Sequence, residues 1–379
     1  MENQYSFDPI RPYDDHEVQS VIAELIQEEN FLAALQFVLP GAGTEKLKQQ
    51  LLSMRSIEDF QAGIIAPVLK NIIRASVRGE VQTIGIEQFS AGIPFLVISN
   101  HRDIVLDSAF LNYELFRHHF PTTRIAIGNN LLQRKWIEML VRLNKNFIVH
   151  RDVAARQAYE YSARVSAYIR KSILKDKQSV WIAQREGRTK DGNDFTQPGL
   201  LKMLSMSAAD GPDGFFELNI LPLSITYEFE PCAGLKAREM YIRHTSGTYQ
   251  KSPGEDLISM KTGMLQPKGA VNFNFGSPLS LHELHESFEG KSRNDALKSV
   301  AALIDRQIHS NTTLYANHYI AADLLQGQSK YPAYYSQKAF SNFQSYVTQE
   351  LANWPEKEEI KPFLLQVYAN PVFKKEQYL

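Results

Sequence analysis

The sequence predicts an α/β protein whose mixed, mainly parallel sheet is flanked by helices, with helical additions on its N- and C-terminal sides. Two observations predict this class. Between about residues 80 and 280, short apolar runs alternate with helix-like segments, which is the pattern of a sheet covered by crossover helices. Before and after that stretch, apolar residues recur mainly at helical spacing. We therefore predict a helical region over 1–79, an α/β domain over 80–280 and a helical region over 281–379.

The first eighty residues are predicted to be helical. Val18, Ile22 and Leu25 recur at helical spacing within a pattern over residues 17–39, and a second helical pattern covers residues 57–76. Charged residues interrupt both patterns, so neither is expected to span a bilayer. Such helices either pack on a core or lie on a surface as amphipathic elements.

Compact runs rich in branched apolar residues predict buried strands in the central region. The predicted strands are Val81–Ile86, Ile93–Ser99, Arg124–Ile127, Phe147–Val149, Ser179–Ala183, Ile220–Ile225 and Val271–Gly276. The predicted helices beyond residue 80 are Leu106–His118, Leu132–Leu143, Val153–Lys175 and Ala296–Ile308. In a sheet of this kind, ligand chemistry is expected at the carboxyl ends of the strands.

Composition narrows the class of protein. The 379 residues carry a formal net charge of −1 and one cysteine, Cys232, so neither a disulfide framework nor a cysteine-rich zinc module is expected. We expect a reducing, cytoplasmic location, because no apolar run reaches the length of a membrane span and no basic-then-apolar leader opens the sequence.

The charge is unevenly distributed along the chain. Residues 121–190 contain fifteen Lys and Arg against five Asp and Glu, a net charge of +10, so the remainder carries −11. Such a basic segment indicates anionic ligands or an anionic surface. A solvated basic helix face explains the count equally well.

A histidine and two acids follow one predicted strand. His101 comes just beyond the apolar run that ends at Ser99, with Asp103 and Asp107 two and six residues later. A histidine there can act as a general base at neutral pH, provided that a carboxylate fixes its tautomer and stabilises the imidazolium. The alternative is a surface histidine beside a helix that Asp103 caps.

Cations follow two other predicted strands. Arg151 comes after the run that ends at Val149, and Arg188 and Lys190 lie in a glycine-punctuated loop after the run that ends at Ala183. Guanidinium and ammonium groups beside glycines suit a phosphate group. Each loop alone is more often solvated than functional, so the prediction rests on their order.

A metal site is not expected. His282 and His285 have a ligand-like spacing but lack partner ligands, so they are interpreted as part of a polar helix face.

Four motifs occur in the order Asn100-His101…Asp107, Phe147…Arg151, Glu186-Gly187-Arg188 and Leu221-Pro222-Leu223. This order resembles the four motifs of the glycerolipid acyltransferases over about residues 80–280, and it implies their fold. The loop from Glu186 to Gly192 is closer to the branch that acylates glycerol-3-phosphate than to the one that acylates lysophosphatidic acid. Five residues separate His101 from Asp107, whereas the family pattern has four. Asp107 is favoured as the orienting acid because the apolar start of a helix follows it, and Asp103 is the alternative.

The resemblance implies direct acyl transfer without an acyl-enzyme and without a cofactor. His101 would deprotonate an acceptor hydroxyl, which attacks the thioester of acyl-CoA or acyl-carrier protein. Arg151 and Arg188, with Lys190, would hold the acceptor phosphate, Glu186 would fix those cations or a glycerol hydroxyl, and Pro222 would shape the pocket wall. The residues implied in substrate binding are Asn100, Arg151, Glu186, Gly187, Arg188, Lys190 and Pro222.

Other readings remain open at this stage. The acceptor is lysophosphatidic acid, glycerol-3-phosphate or another hydroxylated lipid such as an aminolipid. A non-catalytic lipid-binding adaptor and a lipid or thioester hydrolase are further alternatives. Because both substrates and an anionic lipid surface favour a basic face, we expect reversible attachment to the cytoplasmic membrane leaflet that high salt releases. Insertion by the amphipathic N-terminal helices is the alternative, and no nucleic-acid partner is expected.

Overall fold

The fold class predicted from the sequence is confirmed by a computed structural model, which describes residues 5–39, 41, 43–151, 154–208 and 211–378. Within these residues, seven strands form one sheet, which helices flank on both faces. The strands are β1 (Val77–Ile84), β2 (Leu96–Ser99), β3 (Arg124–Gly128), β4 (Asn146–Val149), β5 (Val180–Ala183), β6 (Ile220–Tyr227) and β7 (Gly269–Phe275).

The strand order is β1-β7-β6-β2-β5-β3-β4. Neighbouring strands are parallel except for β6 and β7, which are antiparallel. Strands β2 to β6 therefore share one direction, and β1 and β7 run the other way. As a result, the carboxyl ends of β2 to β6 lie at one edge of the sheet, together with the amino ends of β1 and β7.

Helices precede, connect and follow the strands. Those up to β6 are α1 (Val18–Leu25), α2 (Glu29–Val38), α3 (Thr44–Ser53), α4 (Ile57–Phe60), α5 (Ala66–Ser76), α6 (Leu106–Arg117), α7 (Lys135–Leu143), α8 (Ala155–Leu174), α9 (Pro198–Leu204) and α10 (Asp213–Phe216). Those after β6 are α11 (Ala233–Ser246), α12 (Glu255–Leu265), α13 (Leu281–Phe288), α14 (Arg293–Ser310), α15 (Ala316–Gln326), α16 (Gln337–Leu351) and α17 (Lys357–Tyr378).

The two faces of the sheet bury separate apolar cores. Along β2, Leu96 and Ile98 pack with α8 and α14 on one face, while Val97 packs with α5 and α6 on the other. Every residue of β2 and β6 is buried, which explains why these strands read as continuous apolar runs rather than as alternating ones. These central strands carry the loops that form the candidate site.

The flanking helices form cores of their own. Helices α1 to α5 pack around Phe60, together with α7. Helices α15 to α17 pack around Tyr368, together with α11. Because α14 packs on the sheet through Ile304, the segment after residue 280 also contributes to the core of the α/β unit. The predicted boundaries at residues 79 and 280 stay predictions.

The element boundaries differ from the predictions in a few places. The predicted helix over 17–39 is two helices, α1 and α2, and β1 begins at Val77 rather than at Val81. Strand β2 begins at Leu96, because Pro94 cannot donate a ladder hydrogen bond. The predicted start of α8, Val153, lies outside the described residues. No helix in the described ranges is both long and apolar enough to cross a membrane.

Candidate active site

The sheet order brings four predicted strand ends together. Strands β2, β5, β3 and β4 are consecutive neighbours, so the loops at their carboxyl ends lie side by side. A cavity of about 530 Å³ opens there. The predicted site residues that line it are His101, Arg151, Glu186, Gly187, Arg188 and Lys190.

His101 and Asp107 form a hydrogen-bonded pair. Nδ1 of His101 lies 2.8 Å from Oδ2 of Asp107, and because a carboxylate accepts, Nδ1 carries the proton and Nε2 is left as the basic nitrogen. The Asp107 side chain is fully buried, whereas 14% of the His101 side chain is exposed at the cavity. This is the geometry of a histidine base with an orienting acid.

The Asp107 carboxylate is held from several sides. Its Oδ2 also accepts the backbone N–H groups of Arg102 at 2.6 Å and Asp103 at 3.0 Å. Its other oxygen, Oδ1, accepts the phenolic hydroxyl of Tyr227 at 2.9 Å. With this many donors on one buried carboxylate, its position relative to His101 is fixed.

Asp103 has a different place. Its Oδ1 accepts the backbone N–H groups of Val105 at 2.9 Å and Leu106 at 2.8 Å, so it caps the start of α6. The turn that Asp103 caps places the first turn of α6 next to His101. Asp107 therefore reaches the imidazole although five residues separate the two in the sequence. The geometry therefore places Asp107, and not Asp103, beside the imidazole.

Trp181 confines the imidazole on another side. The two rings meet edge to face, with centroids 5.7 Å apart, and the Trp181 indole N–H donates to the Ser99 hydroxyl at 3.0 Å. Ser99 and Trp181 belong to the neighbouring strands β2 and β5. The ring of His101 is thus oriented by the sheet itself as well as by Asp107.

The cavity has an apolar side, mostly from β3 and the residues just after it, and a charged side, mostly from the loop after β5 and from α11. The apolar lining residues are Ile104, Ile125, Ala126, Ile127, Leu131, Trp181 and Met240. The cationic lining residues are Arg151, Arg185, Arg188, Lys190, Arg243 and Lys251, and the acidic ones are Glu186, Asp191, Glu239 and Asp256. Such a cavity suits a ligand with an apolar chain and an anionic group.

Arg188 offers the charge that is best placed for a ligand. Only 8% of it is exposed, yet its buried Nη1 has no hydrogen-bond partner among the described residues. An unpaired buried guanidinium nitrogen is costly, so an anionic ligand would remove that cost. Gly187 precedes it with φ +69°, a conformation that side chains rarely adopt.

Lys190 is a second, partly buried cation, with 22% of its side chain exposed. Its ammonium forms an ion pair with Glu239 at 2.5 Å. Burial, reinforced by the charge of Arg188, lowers the pKa of Lys190 to about 8, against the opposing attraction of Glu239. Glu239 also accepts a hydrogen bond from Arg243 at 2.9 Å. The charge of Lys190 therefore depends on pH in the physiological range.

Arg151 and Glu186 face each other across the cavity mouth. Nε of Arg151 lies 3.6 Å from Oε1 of Glu186. The Arg151 side chain crosses Gly128 so closely that a Cβ at residue 128 would lie 2.8 Å from Nε. The absence of a side chain at the end of β3 is what lets this guanidinium reach the cavity.

Two residues predicted to bind substrate do not line the cavity. The Asn100 amide donates to the Ile225 carbonyl at 2.9 Å and accepts from its N–H at 2.8 Å, so it extends the pairing of β2 with β6. Pro222 is buried within β6 opposite Ile98. The structure gives both residues a role in the sheet, and their predicted contact with substrate stays a prediction.

Buried ionic contacts, which no pattern in the sequence indicates, hold the loop over 100–105 that carries His101. Arg102 pairs with Asp194 at 2.5 Å. Lys236 donates to the Arg102 carbonyl at 2.7 Å and to Glu230 at 2.6 Å. Charged residues in loops and helices usually face solvent, so nothing in the spacing of these residues signals the contact. Tyr227 was not predicted either, because it lies two residues beyond the predicted strand Ile220–Ile225 and nothing in its sequence neighbourhood links it to Asp107.

A second cavity and the two histidines of α13 lie away from this site. A cavity of about 710 Å³ at the amino ends of β3 to β5 contains none of the predicted site residues. His282 and His285 are exposed on α13. No group of three or more potential metal ligands occurs among the residues that the structure describes.

Comparison with known proteins supports acyl transfer in the general sense, and with it an acyl donor and a lipid acceptor. No curated protein matches the chain. A family model does match, over the part of the chain that carries the His101–Asp107 pair, the basic loops, β2 to β5 and most of β1 and β6. Residues 80–226 match the family model described as Acyltransferase.

Proposed function

We propose that this protein is a glycerolipid O-acyltransferase of phospholipid biosynthesis. It moves a fatty acyl group from acyl-CoA or acyl-carrier protein to the hydroxyl of lysophosphatidic acid or glycerol-3-phosphate. The observation that carries this proposal is the His101–Asp107 pair, whose histidine faces a cavity lined by apolar residues and by several cations. The acyltransferase match over residues 80–226 supports the reaction class.

The chemistry follows from the state of the imidazole. Nε2 of His101 accepts the proton of the acceptor hydroxyl while the oxygen attacks the thioester carbon. Asp107 stabilises the imidazolium that forms. The tetrahedral intermediate collapses to the ester and expels the thiolate, which takes the proton back from the imidazolium. The products are an ester and a thiol, and His101 is regenerated.

Direct transfer fits the groups around the histidine. Ser108 lines the cavity, but no hydrogen bond joins it to His101 among the described residues. Nδ1 of the imidazole is already engaged with Asp107. A serine without a base is a weak nucleophile. We therefore assign the attacking hydroxyl to the acceptor.

The cations on the charged side of the cavity support a phosphorylated acceptor. Arg188 presents an unpaired, buried guanidinium nitrogen, and Arg151 and Lys190 line the same cavity. A phosphate accepts the paired N–H groups of a guanidinium, so this side suits it better than a neutral hydroxyl. The apolar side near Ile104 and Ile127 would hold the start of the acyl chain.

The proposed setting is the cytoplasmic leaflet of a membrane, with reversible, charge-dependent attachment. Part of the basic segment 121–190 is neutralised within the fold, for example by the pairs of Arg124 with Asp176 and of Arg164 with Glu160. At the cavity, Lys190 pairs with Glu239 and Arg151 lies 3.6 Å from Glu186, while the segment as a whole keeps its excess of Lys and Arg residues. Attachment that depends on them weakens as salt screens the attraction.

An acceptor panel tests the proposal. The parent protein is incubated with radiolabelled acyl-CoA or acyl-carrier protein and with lysophosphatidic acid, glycerol-3-phosphate or an aminolipid, and the products are separated by lipid chromatography. We expect a labelled phospholipid product that His101→Ala abolishes and that His282→Ala, changed at an exposed position, leaves intact.

Other outcomes would overturn it. Release of free fatty acid in place of an acylated lipid indicates a hydrolase, and transfer to an aminolipid alone identifies a different acceptor. If the parent protein binds lipid but turns nothing over, the non-catalytic adaptor is correct. Full transfer by the His101 variant would remove the proposed base.

A further inference from the structure

Tyr227 reaches the His101–Asp107 pair from β6, the strand next to β2, on the face of the sheet that α6 covers. It is the last residue of β6, one position beyond the range that matches the acyltransferase model. The side chain is 1% exposed, and its hydroxyl donates to Oδ1 of Asp107 at 2.9 Å. It contacts the acid of the pair and not the cavity, whose described lining does not include it.

Besides the Tyr227 hydroxyl, Asp107 has two backbone donors and one side-chain donor among the described residues. The amides of Arg102 and Asp103 and the imidazole of His101 all meet Oδ2. Among the described residues, only the hydroxyl of Tyr227 meets Oδ1. Without it, Oδ2 would still accept three hydrogen bonds. Oδ1 would be buried with no donor among the described residues, which is costly.

The environment keeps the phenol protonated. Burial, followed by the negative charge of Asp107, raises the pKa of Tyr227 well above its usual range. The hydroxyl therefore keeps its proton, and donates to Asp107, at neutral pH. The charged groups near this pair are His101, Arg102 and Asp103 on the loop over 100–105 and Glu230 beyond β6, and a change at Tyr227 leaves all of them in place.

We propose that Tyr227 is a positioning residue of the His101–Asp107 pair, which sets the orientation and the effective charge of the acid that holds the base. This inference rests on the proposed function. By satisfying Oδ1, Tyr227 turns the carboxylate plane so that Oδ2 points at the imidazole. Its hydrogen bond also disperses part of the negative charge of Asp107, so the carboxylate attracts the imidazolium less strongly.

Tyr227→Phe tests this, because it removes the hydroxyl and keeps the buried ring. We expect a fall in kcat of about tenfold, as for the loss of one hydrogen bond to a charged group, with little change in the KM values of donor and acceptor. The acidic limb of the pH profile of kcat/KM should move to higher pH, because a less dispersed carboxylate charge holds the imidazolium more strongly. Tyr331→Phe is the matched control, since this buried tyrosine donates to Glu376 at 2.9 Å in the C-terminal helices.

A second readout does not depend on activity. The proton between His101 and Asp107 should give a downfield NMR resonance, which we expect to shift or broaden in Tyr227→Phe and to stay unchanged in Tyr331→Phe. An unchanged resonance and an unchanged pH profile would overturn the inference, even with a reduced kcat, because a purely structural role lowers only the active fraction. If His101→Ala keeps full transfer, the proposed function fails, while the resonance still decides the role of Tyr227.

Discussion

Gly263 of α12 lies directly against the carboxylate of Asp103. A Cβ at residue 263 would be 2.1 Å from Oδ2 of Asp103, a distance at which atoms cannot remain. Asp103 caps α6, and its own amide holds Asp107. Helix α12 therefore helps to shape the loop that carries His101, although α12 lies outside the matched range of residues.

Gly263→Ala is expected to impair both stability and turnover. The new methyl group must displace the Asp103 carboxylate, and overpacking of this kind costs about 1–3 kcal/mol in free energy of unfolding. We expect a lower Tm and a reduced kcat. Gly199→Ala is the control, because a Cβ there meets nothing within 4 Å. Parent-like values for the Gly263 variant would show that the loop adapts freely.

Substitution of Asp107 is expected to lower mainly kcat, and substitution of Asp103 mainly stability. Asp107→Asn removes the charge that stabilises the imidazolium, so kcat should fall about a hundredfold or more with a small change in Tm. Asp103→Ala removes a helix cap, so it should lower the free energy of unfolding by about 1 kcal/mol and leave kcat within about threefold, since the backbone amide that holds Asp107 remains. Thermal melts and turnover measured on the same samples decide this. A larger loss of kcat in the Asp103 variant would reverse the assignment.

Arg188→Ala is expected to weaken acceptor binding. Losing a charge-assisted contact to phosphate should raise the acceptor KM by about tenfold or more, with the donor KM unchanged. Initial rates over both substrate concentrations measure this. Arg243→Ala is the control, because Arg243 lines the same cavity at its exposed rim and an exposed charge contributes little. A change in donor KM alone would mean that Arg188 binds the thioester substrate.

The acceptor KM is expected to rise with pH because of Lys190. Since its pKa is lowered to about 8, its ammonium is charged below that pH and loses its charge above it. Attraction to a phosphate should therefore weaken as the pH rises from about 7 to 9. In Lys190→Arg the charge persists, so the rise should disappear. Identical profiles for the two proteins would place the phosphate away from residue 190.

Glu114→Gln is expected to change how stability depends on pH. Burial raises the pKa of Glu114 to about 7 from 4.5, against the opposing charge of Arg117. Between those values the folded chain holds a proton that the unfolded chain has released, so the free energy of unfolding falls as pH rises, by up to about 1.4 kcal/mol per pH unit. The variant lacks this loss. Its Tm should exceed that of the parent at pH 8, and the difference should shrink towards pH 5.

The strands and the meeting of their ends could be predicted from the sequence because both depend on local patterns. Strand β5, for example, is a run of four apolar residues with a basic, glycine-containing loop after it. Parallel pairing then brings Arg188 to the same edge as His101. Only the strand order was missing, and hydrogen-bonded pairs between distant segments set that order.

The contacts that complete the pair could not be predicted, because no local signal marks them. Tyr227 lies 120 residues from Asp107, and Lys236 lies 134 residues from the carbonyl it binds. Helix α11 is amphipathic in an ordinary way, and the sequence does not show that its lysine points inward. Asn100 shows the same limit, since its position beside His101 suggests a contact with substrate and does not reveal that its amide pairs with β6.

The strand order also sets a schedule for folding during synthesis. Strand β1 is hydrogen-bonded to β7 and to no other strand in the described ranges. Residues 77–84 therefore leave the ribosome long before residues 269–275, which form their pairing partner. Until β7 inserts between β1 and β6, β1 lacks its partner strand and β6 remains an unpaired edge of the sheet. Long-range closures of this kind are slow and leave unpaired edges exposed, so chaperone capture is expected to concentrate on chains stalled before residue 269.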